Sequence, residues 1–569
     1  MPKQCSTDNQ TTMSTTSCPL LPPDPSPLSK GGKRGVVVPA GGERSRACEQ
    51  TQSAGTAARP CFPRWSLVAL VGITLLGAGI RLRFLDHPMR YDESYNYLHY
   101  ASKSPGYIVT HYAPNNHILH TLMVYGSTRV FGTGPAALRV PAFLAGVALI
   151  PVTAWLGWMV SRRRDVALAA ALAVCGSSAL IEYSTNARGY SLLALFTVLC
   201  VGLTIGLCEE PTRRRRWLLV GGAAALGAYT VPVMVLPYAG IALVLLVVAI
   251  RAGRTARVGW LTMTATVGAL TALLYLPVMM VSGASSLSGA GEMAYDVLGK
   301  QVSSFGDMAG GAWSLWCRHG GTALPVLVGL GLLYHLIAGV RLAVRGESPF
   351  EVCGTGFQPV KTRVENPWKM FRHTLPGTAK TLLPIIVVAV SMVAAAALRA
   401  PLPARTWLFA LPLVLVCAVA GLLRWNGSGR LGTFKRSVGV LAATTLVLMP
   451  MLRVPLLTRL CSEPGGLVEV DEALEECQAF GIERCSVVAP YNPAMAYYMQ
   501  QRGITAIPAA DAPAVERVVI VATSFKPMSE LWHSGVAGFE HFTPVVPAKV
   551  LSNGAVYFAD RLDAATASR

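Results

Sequence analysis

Arg83-Phe84-Leu85-Asp86-His87-Pro88-Met89-Arg90-Tyr91-Asp92-Glu93-Ser94-Tyr95-Asn96-Tyr97 is a polar, aromatic-rich stretch that emerges from an apolar run begun at Trp65. The run from Trp65 to Leu85 meets the length of about 20 residues that a bilayer-spanning helix needs. Two adjacent acids, Asp92 and Glu93, follow where the chain has just left the membrane. Desolvating a carboxylate is costly unless it is paired or put to use. The stretch therefore predicts the catalytic loop of a membrane enzyme.

The rest of the chain agrees with a membrane setting. Of its 569 residues, 52% are hydrophobic and 14% charged, against a charged share of about 25% in soluble domains. The formal charge of +19 lies in short basic clusters between apolar runs, which marks cytoplasmic loops and argues against a nucleic-acid partner, because no folded basic surface or recognition motif accompanies it. The 13 cysteines are scattered without CxxC pairs or zinc spacing, so neither a disulfide scaffold nor a zinc cluster is indicated. Residues 1–64, rich in Ser, Thr, Pro and Gly and lacking an early apolar core, read as a disordered cytoplasmic tail rather than a signal peptide.

Charge bias sets the direction of each crossing. With Arg59 and Arg64 inside, the first run carries Asp92 and Glu93 outside. Tyr112 to Phe131 holds Asn115, Asn116, His117, His120 and Arg129; it is too short and polar for a span and reads as one or two helices lying at the outer surface. Counting it as a crossing would place Arg162–Arg164 and Arg213–Arg216 outside. Later runs are Leu138–Val160, Ala167–Tyr183, Tyr190–Leu207, two spans within Trp217–Ile250 that turn near Pro232 and Pro237, Val258–Val281, Thr322–Leu342, Leu382–Leu398, Thr406–Leu423 and Val438–Leu457. The expectation is 11 transmembrane helices over 65–457, with an external loop at 86–134 and a polar cytoplasmic insert at 345–380. The amino end lies inside and the carboxyl end outside, in the plasma (inner) membrane.

Residues 458–569 form a different unit, with 13 acids against 8 Lys and Arg. Short apolar strands at 486–489 and 517–521 and a helix over 468–480 predict a small extracytoplasmic α/β domain. A Cys477–Cys485 disulfide there is an open alternative.

Several pieces together carry a resemblance. Arg83-Phe84 and Tyr91-Asp92-Glu93-Ser94, then Ala113-Pro114-Asn115-Asn116-His117, then Ala137-Leu138-Arg139-Val140-Pro141, then Ala187-Arg188-Gly189-Tyr190-Ser191-Leu192 resemble successive landmarks of the GT-C membrane glycosyltransferases. The branch most similar contains the protein O-mannosyltransferases and the aminoarabinose transferase. The resemblance implies an inverting glycosyltransferase that takes a sugar from a polyprenyl-phosphate donor to a lipid, glycan or protein acceptor on the outer face. It also implies that Asp92 matches the catalytic acid of the first external loop.

The residue types suit that chemistry in their own right. Displacing a lipid phosphate from an anomeric carbon requires a base on the acceptor hydroxyl and positive charge on the departing phosphate. Asp92 is the candidate base; Glu93 orients a partner or contributes to acceptor or metal binding. Arg188 with Tyr190, Arg399 and Arg405 are candidates for the phosphate, since a guanidinium fork suits phosphate oxygens; lipid-facing arginines are the alternative. Tyr91, Tyr95, Asn115, Asn116, His117 and His120 are candidate substrate contacts. No metal ligand set is predicted, although the resemblance leaves a divalent cation open. A polytopic transporter or lipid flippase is the competing class, and it lacks support from repeated, interrupted half-helices.

Overall fold

The computed structural model describes residues 64–283, 323–345, 377–398, 402–424, 429–452, 470–479, 486–488, 493–503, 517–523, 547–551 and 554–560, with a few isolated positions besides. The amino-terminal tail, most of the 282–319 loop, the 345–380 insert up to Gly377, Arg399 and the Cys477–Cys485 pairing lie outside the described residues and side chains.

In chain order the helices are α1 (Arg64–Leu82), α2 (Tyr91–Asn96), α3 (Pro105–Thr110), α4 (Ile118–Phe131), α5 (Pro135–Ser161), α6 (Arg164–Gly176), α7 (Ser178–Ser184), α8 (Tyr190–Glu209), α9 (Arg214–Thr230), α10 (Val235–Ala252), α11 (Arg254–Val281), α12 (Ala323–Arg345), α13 (Gly377–Ala397), α14 (Ala410–Leu423), α15 (Gly429–Leu452), α16 (Val470–Ala479) and α17 (Pro493–Gln501). Within the described residues, each expected apolar run coincides with helix. Among the described residues, eight helices are long and apolar enough to cross a membrane, or nine if α6 and α7, bent by 60°, count as one span. The chain is a multi-pass helical membrane protein, and the described residues account for eight or nine of the eleven expected crossings. Helix α9, of 17 residues, falls just short of a spanning length, and in α12, a helix of 23 residues, Leu324–Ile337 is an apolar stretch among the described residues. The break between α9 and α10 falls where expected, at extended Val231 followed by a 3-10 turn from Pro232, because proline cannot donate to the preceding turn. The Tyr112–Phe131 segment supplies one helix, α4, of 14 residues, too short to span.

Burial sorts the helices. The Ala404–Leu423 window is 89% buried whereas that of Arg254–Val281 is 11% buried, so α14 forms the bundle's centre and α11 its lipid-facing side. Leu411, Leu415 and Ala418 of α14 pack among Val174, Leu324 and Val447 in one core. At one end of the bundle Arg162 pairs with Glu209, Lys380 Nζ lies 2.8 Å from Glu209, and Arg213 Nε lies 2.6 Å from Glu210. The Arg164 guanidinium covers the Trp65 ring at the start of α1. These basic ends face away from the α1–α2 connection, which lies at the other end of α1.

Near the carboxyl end, β1 (Ser486–Val488), β2 (Arg517–Thr523), β3 (Pro547–Leu551) and β4 (Gly554–Asp560) make a sheet of order β1-β2-β4-β3. β1 and β2 are parallel; the other pairs are antiparallel.

Candidate functional site

The site is built at the end of the bundle where α1 gives way to α2. Helix α2 starts after Arg90, whose backbone N–H donates to Glu93 Oε1 at 2.8 Å, the return half of a capping box. This turns Glu93 inward. Its carboxylate pairs with Arg139, accepts from Arg139 Nε at 3.1 Å and accepts from the Ala187 N–H at 2.8 Å. Burial alone would raise its pKa, but Arg139 holds it below the usual carboxylate range. Arg139 also donates to the carbonyls of Leu85, His87 and Pro88 at 2.8, 2.6 and 2.9 Å. One buried ion pair thus ties the 85–93 connection to α5 and to the turn before α8.

Successive helical residues point in different directions, so Asp92 projects elsewhere. Its Oδ2 lies 3.1 Å from Arg405 Nη1 and 3.7 Å from Arg188 Nη2. Burial pushes the Asp92 pKa up, yet Arg188 and then Arg405 outweigh it and hold the carboxyl below its ordinary value. Arg405 belongs to the 3-10 turn Ala404–Phe409 that leads into α14.

Arg188 is fixed from several sides. Both Nη1 and Nη2 donate to Asn115 Oδ1 at 3.1 Å, Nη2 reaches Tyr190 Oη at 3.5 Å, and the guanidinium carbon stands 5.7 Å from the Tyr190 ring centre. Asn115 is held in turn by Asn96 Nδ2, which donates to its carbonyl at 2.7 Å. The Gly189 N–H donates to His117 Nδ1 at 2.8 Å. A Cβ at position 189 would come within 3.0 Å of that same ring nitrogen and 2.8 Å of Thr230 Cγ2, so the Arg-Gly-Tyr order is a packing requirement. Accepting at Nδ1 keeps His117 neutral, in agreement with burial and Arg188 lowering its pKa well below normal. Burial likewise pushes His120 down to about 3.

Asp92, Arg188, Arg405, Asn115, Tyr190 and His117 are therefore brought together, with Tyr91 half-buried next to Asp92 and raised in pKa by burial and by that charge. Other candidates have different duties. Asn116 is buried and donates to the Ile108 and His111 carbonyls at 3.0 and 2.7 Å, which closes the turn before α4. The Tyr95 ring lies tilted against that of His99, with centres 4.2 Å apart. The Glu93 carboxylate is occupied by Arg139, Arg90 and Ala187. His120 is buried at 1% exposure, behind Asn115 in sequence and within the electrostatic reach of Arg188 and Glu93.

Three charged residues carry this arrangement without having been singled out by their spacing. Arg139 is one. Glu182, in α7, lies 3.6 Å from Arg90. Arg81, fully buried, donates to Ser184 Oγ at 2.9 Å and to the Cys175 and Val174 carbonyls at 3.3 Å each, the open end of α6. The available signal was a charge inside or at the edge of an apolar run, a rare and costly placement.

Among the described residues, no group of three or more His, Cys, Asp or Glu could hold a metal ion. Two guanidinium groups against Asp92 and one against Glu93 oppose a divalent cation there, so the acids present do not fit one.

No family model and no curated protein matches the sequence. Solved structures do match. ArnT from Cupriavidus metallidurans in the apo state has a TM-score of 0.51 at 12% identity, covering 86% of this chain and 97% of that one. An oligosaccharyltransferase from Archaeoglobus fulgidus has a TM-score of 0.47 at 12% identity, covering 86% and 72%. The chain has the GT-C fold. ArnT from the same Cupriavidus species has also been crystallised bound to undecaprenyl phosphate, a structure matched at a TM-score of 0.40 and 13% identity over 86% of this chain and 97% of that one.

Proposed function

We propose that this protein is an inverting glycosyltransferase that moves a sugar from a polyprenyl-phosphate donor to an acceptor hydroxyl. The observation that carries the reading is the convergence of one ionised acid, Asp92, with Arg188 and Arg405 at the end of a membrane bundle. A carboxylate can take the proton of the acceptor hydroxyl as its oxygen bonds to the anomeric carbon. The bond from that carbon to the phosphate oxygen breaks, and the two guanidinium groups neutralise the departing polyprenyl phosphate. One displacement with no second nucleophile inverts the anomeric centre. Asp92 is a weak base while both arginines face it. Phosphate oxygens competing for the same two side chains would raise its basicity when donor is bound.

Arg188 and Tyr190 serve the donor phosphate in this reading, with Arg399 as a further candidate. Tyr91, Asn115 and His117 shape the sugar and acceptor side, and Tyr95, Asn116 and His120 build its walls. Glu93 positions Asp92. The basic cluster at the opposite end lies in the cytoplasm, so the site faces outward, with α3 and α4 at the membrane surface. In this reading 458–569 is a separate α/β unit on the outer side, which the packing of α17 on α2 supports, with 65–457 as the catalytic module and 1–64 inside. Undecaprenyl phosphate bound to ArnT, a protein of the same fold, supports the donor class. Purified protein given radiolabelled polyprenyl-phosphate sugars and an envelope extract as acceptor should release free polyprenyl phosphate and label a product. Binding without release, or movement of intact lipid between leaflets, would replace this reading with a binding or flippase role.

A further inference from the structure

The structure assigns to Tyr498, near the end of α17, a role in positioning Asp92. This rests on the glycosyltransferase reading above. Met89 is 1% exposed, and its backbone N–H donates to Tyr498 Oη at 3.0 Å. That amide belongs to the same short connection whose preceding carbonyls, at Leu85, His87 and Pro88, are held by Arg139. Carbonyls on one side and the amide on the other are thus both engaged, which leaves the entry to α2 little freedom two residues before Tyr91. Neighbouring contacts fix the clamp itself. Tyr497 is fully buried, meets the Tyr97 ring edge-on at 5.5 Å between centres, and donates from its hydroxyl to the Thr133 carbonyl. Thr133 Oγ1 donates to Gln501 Oε1 at 3.0 Å. Met89, Tyr97, Leu138, Ala187 and Tyr497 pack as one cluster.

The consequence is a mechanical link between the carboxyl-terminal segment and the acid. Tyr498 bonds to the Met89 amide, in backbone that leads into the helix bearing Asp92. Orientation of a catalytic group to within a fraction of an ångström affects the chemical step more than ground-state binding.

The test is Tyr498→Phe in the full-length protein, which removes one hydroxyl and keeps the ring. We expect kcat for polyprenyl phosphate release to fall about tenfold, the scale of one lost hydrogen bond at a positioned site, with donor KM within about twofold. Hydrogen exchange should quicken in peptides covering 87–97 and stay unchanged in 190–209. A wild-type rate in Tyr498→Phe, or a lost rate without faster exchange at 87–97, overturns the positioning role. Should wild-type protein release no polyprenyl phosphate, the glycosyltransferase reading falls while the exchange measurement still reports on the clamp.

Discussion

The Asp92 carboxylate and the Arg405 guanidinium, from the first loop and a late helix, stand 3.1 Å apart. Arg405 has 31% of its side chain exposed and Asp92 13%, so the pair sits at the mouth of the site rather than in the core. Asp92→Asn keeps size and removes the base. Turnover should drop by about 10² to 10⁴, with folded protein still obtained, a lower unfolding midpoint because buried Arg188 loses its carboxylate, and donor binding no weaker than wild type. A variant within about tenfold of wild-type turnover would remove Asp92 as the base.

Arg405 and Arg188 should separate by how they are held. Arg405→Gln is expected to weaken donor affinity by about 10- to 100-fold, the value of a charge-assisted contact, and to leave folding intact. Arg188→Gln should cost stability as well, because Asn115 and Tyr190 lose their partner. Donor titration by quenching or calorimetry, beside thermal unfolding in the same detergent, checks both. Equal effects of the two variants on unfolding would contradict the burial difference.

Glu93 is adjacent to Asp92 and yet should behave differently. Glu93→Gln leaves the Arg139 charge buried and partly unpaired, a defect of about 3 to 5 kcal/mol. Lower yield of folded protein and a lower unfolding midpoint are expected along with lost activity. Glu93→Gln with wild-type stability would make the pair a surface feature.

Acid should destabilise the protein through His120. Its folded pKa of about 3 lies below its unfolded value of 6.5, so the unfolded chain binds the extra proton between these limits. Stability is complete above pH 6.5 and falls as pH drops toward 3; by pH 5 this one residue costs about 2 kcal/mol. His120→Gln should flatten the unfolding midpoint between pH 7.5 and 5. Asp92 and Glu93 contribute with the opposite charge: their lowered values hold stability from above the unfolded carboxylate pKa and release it only as pH falls through the folded one. A steeper acid dependence in His120→Gln would refute the assignment.

Arg81 closes the carbonyls exposed where α6 breaks before α7. Arg81→Met should lower the unfolding midpoint and, because α7 leads into Arg188, reduce donor affinity too. Unaltered donor affinity in a destabilised Arg81→Met would limit Arg81 to the bundle.

Composition, run lengths and the alternation of basic clusters determine a multi-pass membrane protein and the end at which Asp92 lies. These properties are local: a bilayer imposes length and polarity on each segment separately, so each segment can be read by itself. The positions of Asp92, Arg188 and Arg405 were legible for the same reason, as charges where apolar runs stop. Sequence also separated the two acids, Asp92 as candidate base and Glu93 as a residue that orients a partner, but not the partners each one meets. Asp92 and Glu93 are neighbours of the same type, and only the rotation of a short helix, capped by Glu93 onto Arg90, sends one to two arginines of the site and the other to Arg139. The same holds for Tyr498, a tyrosine in an acidic segment whose partner is a backbone amide at Met89. Contacts between residues hundreds of positions apart depend on how helices pack, and packing leaves no periodic signature in either partner alone.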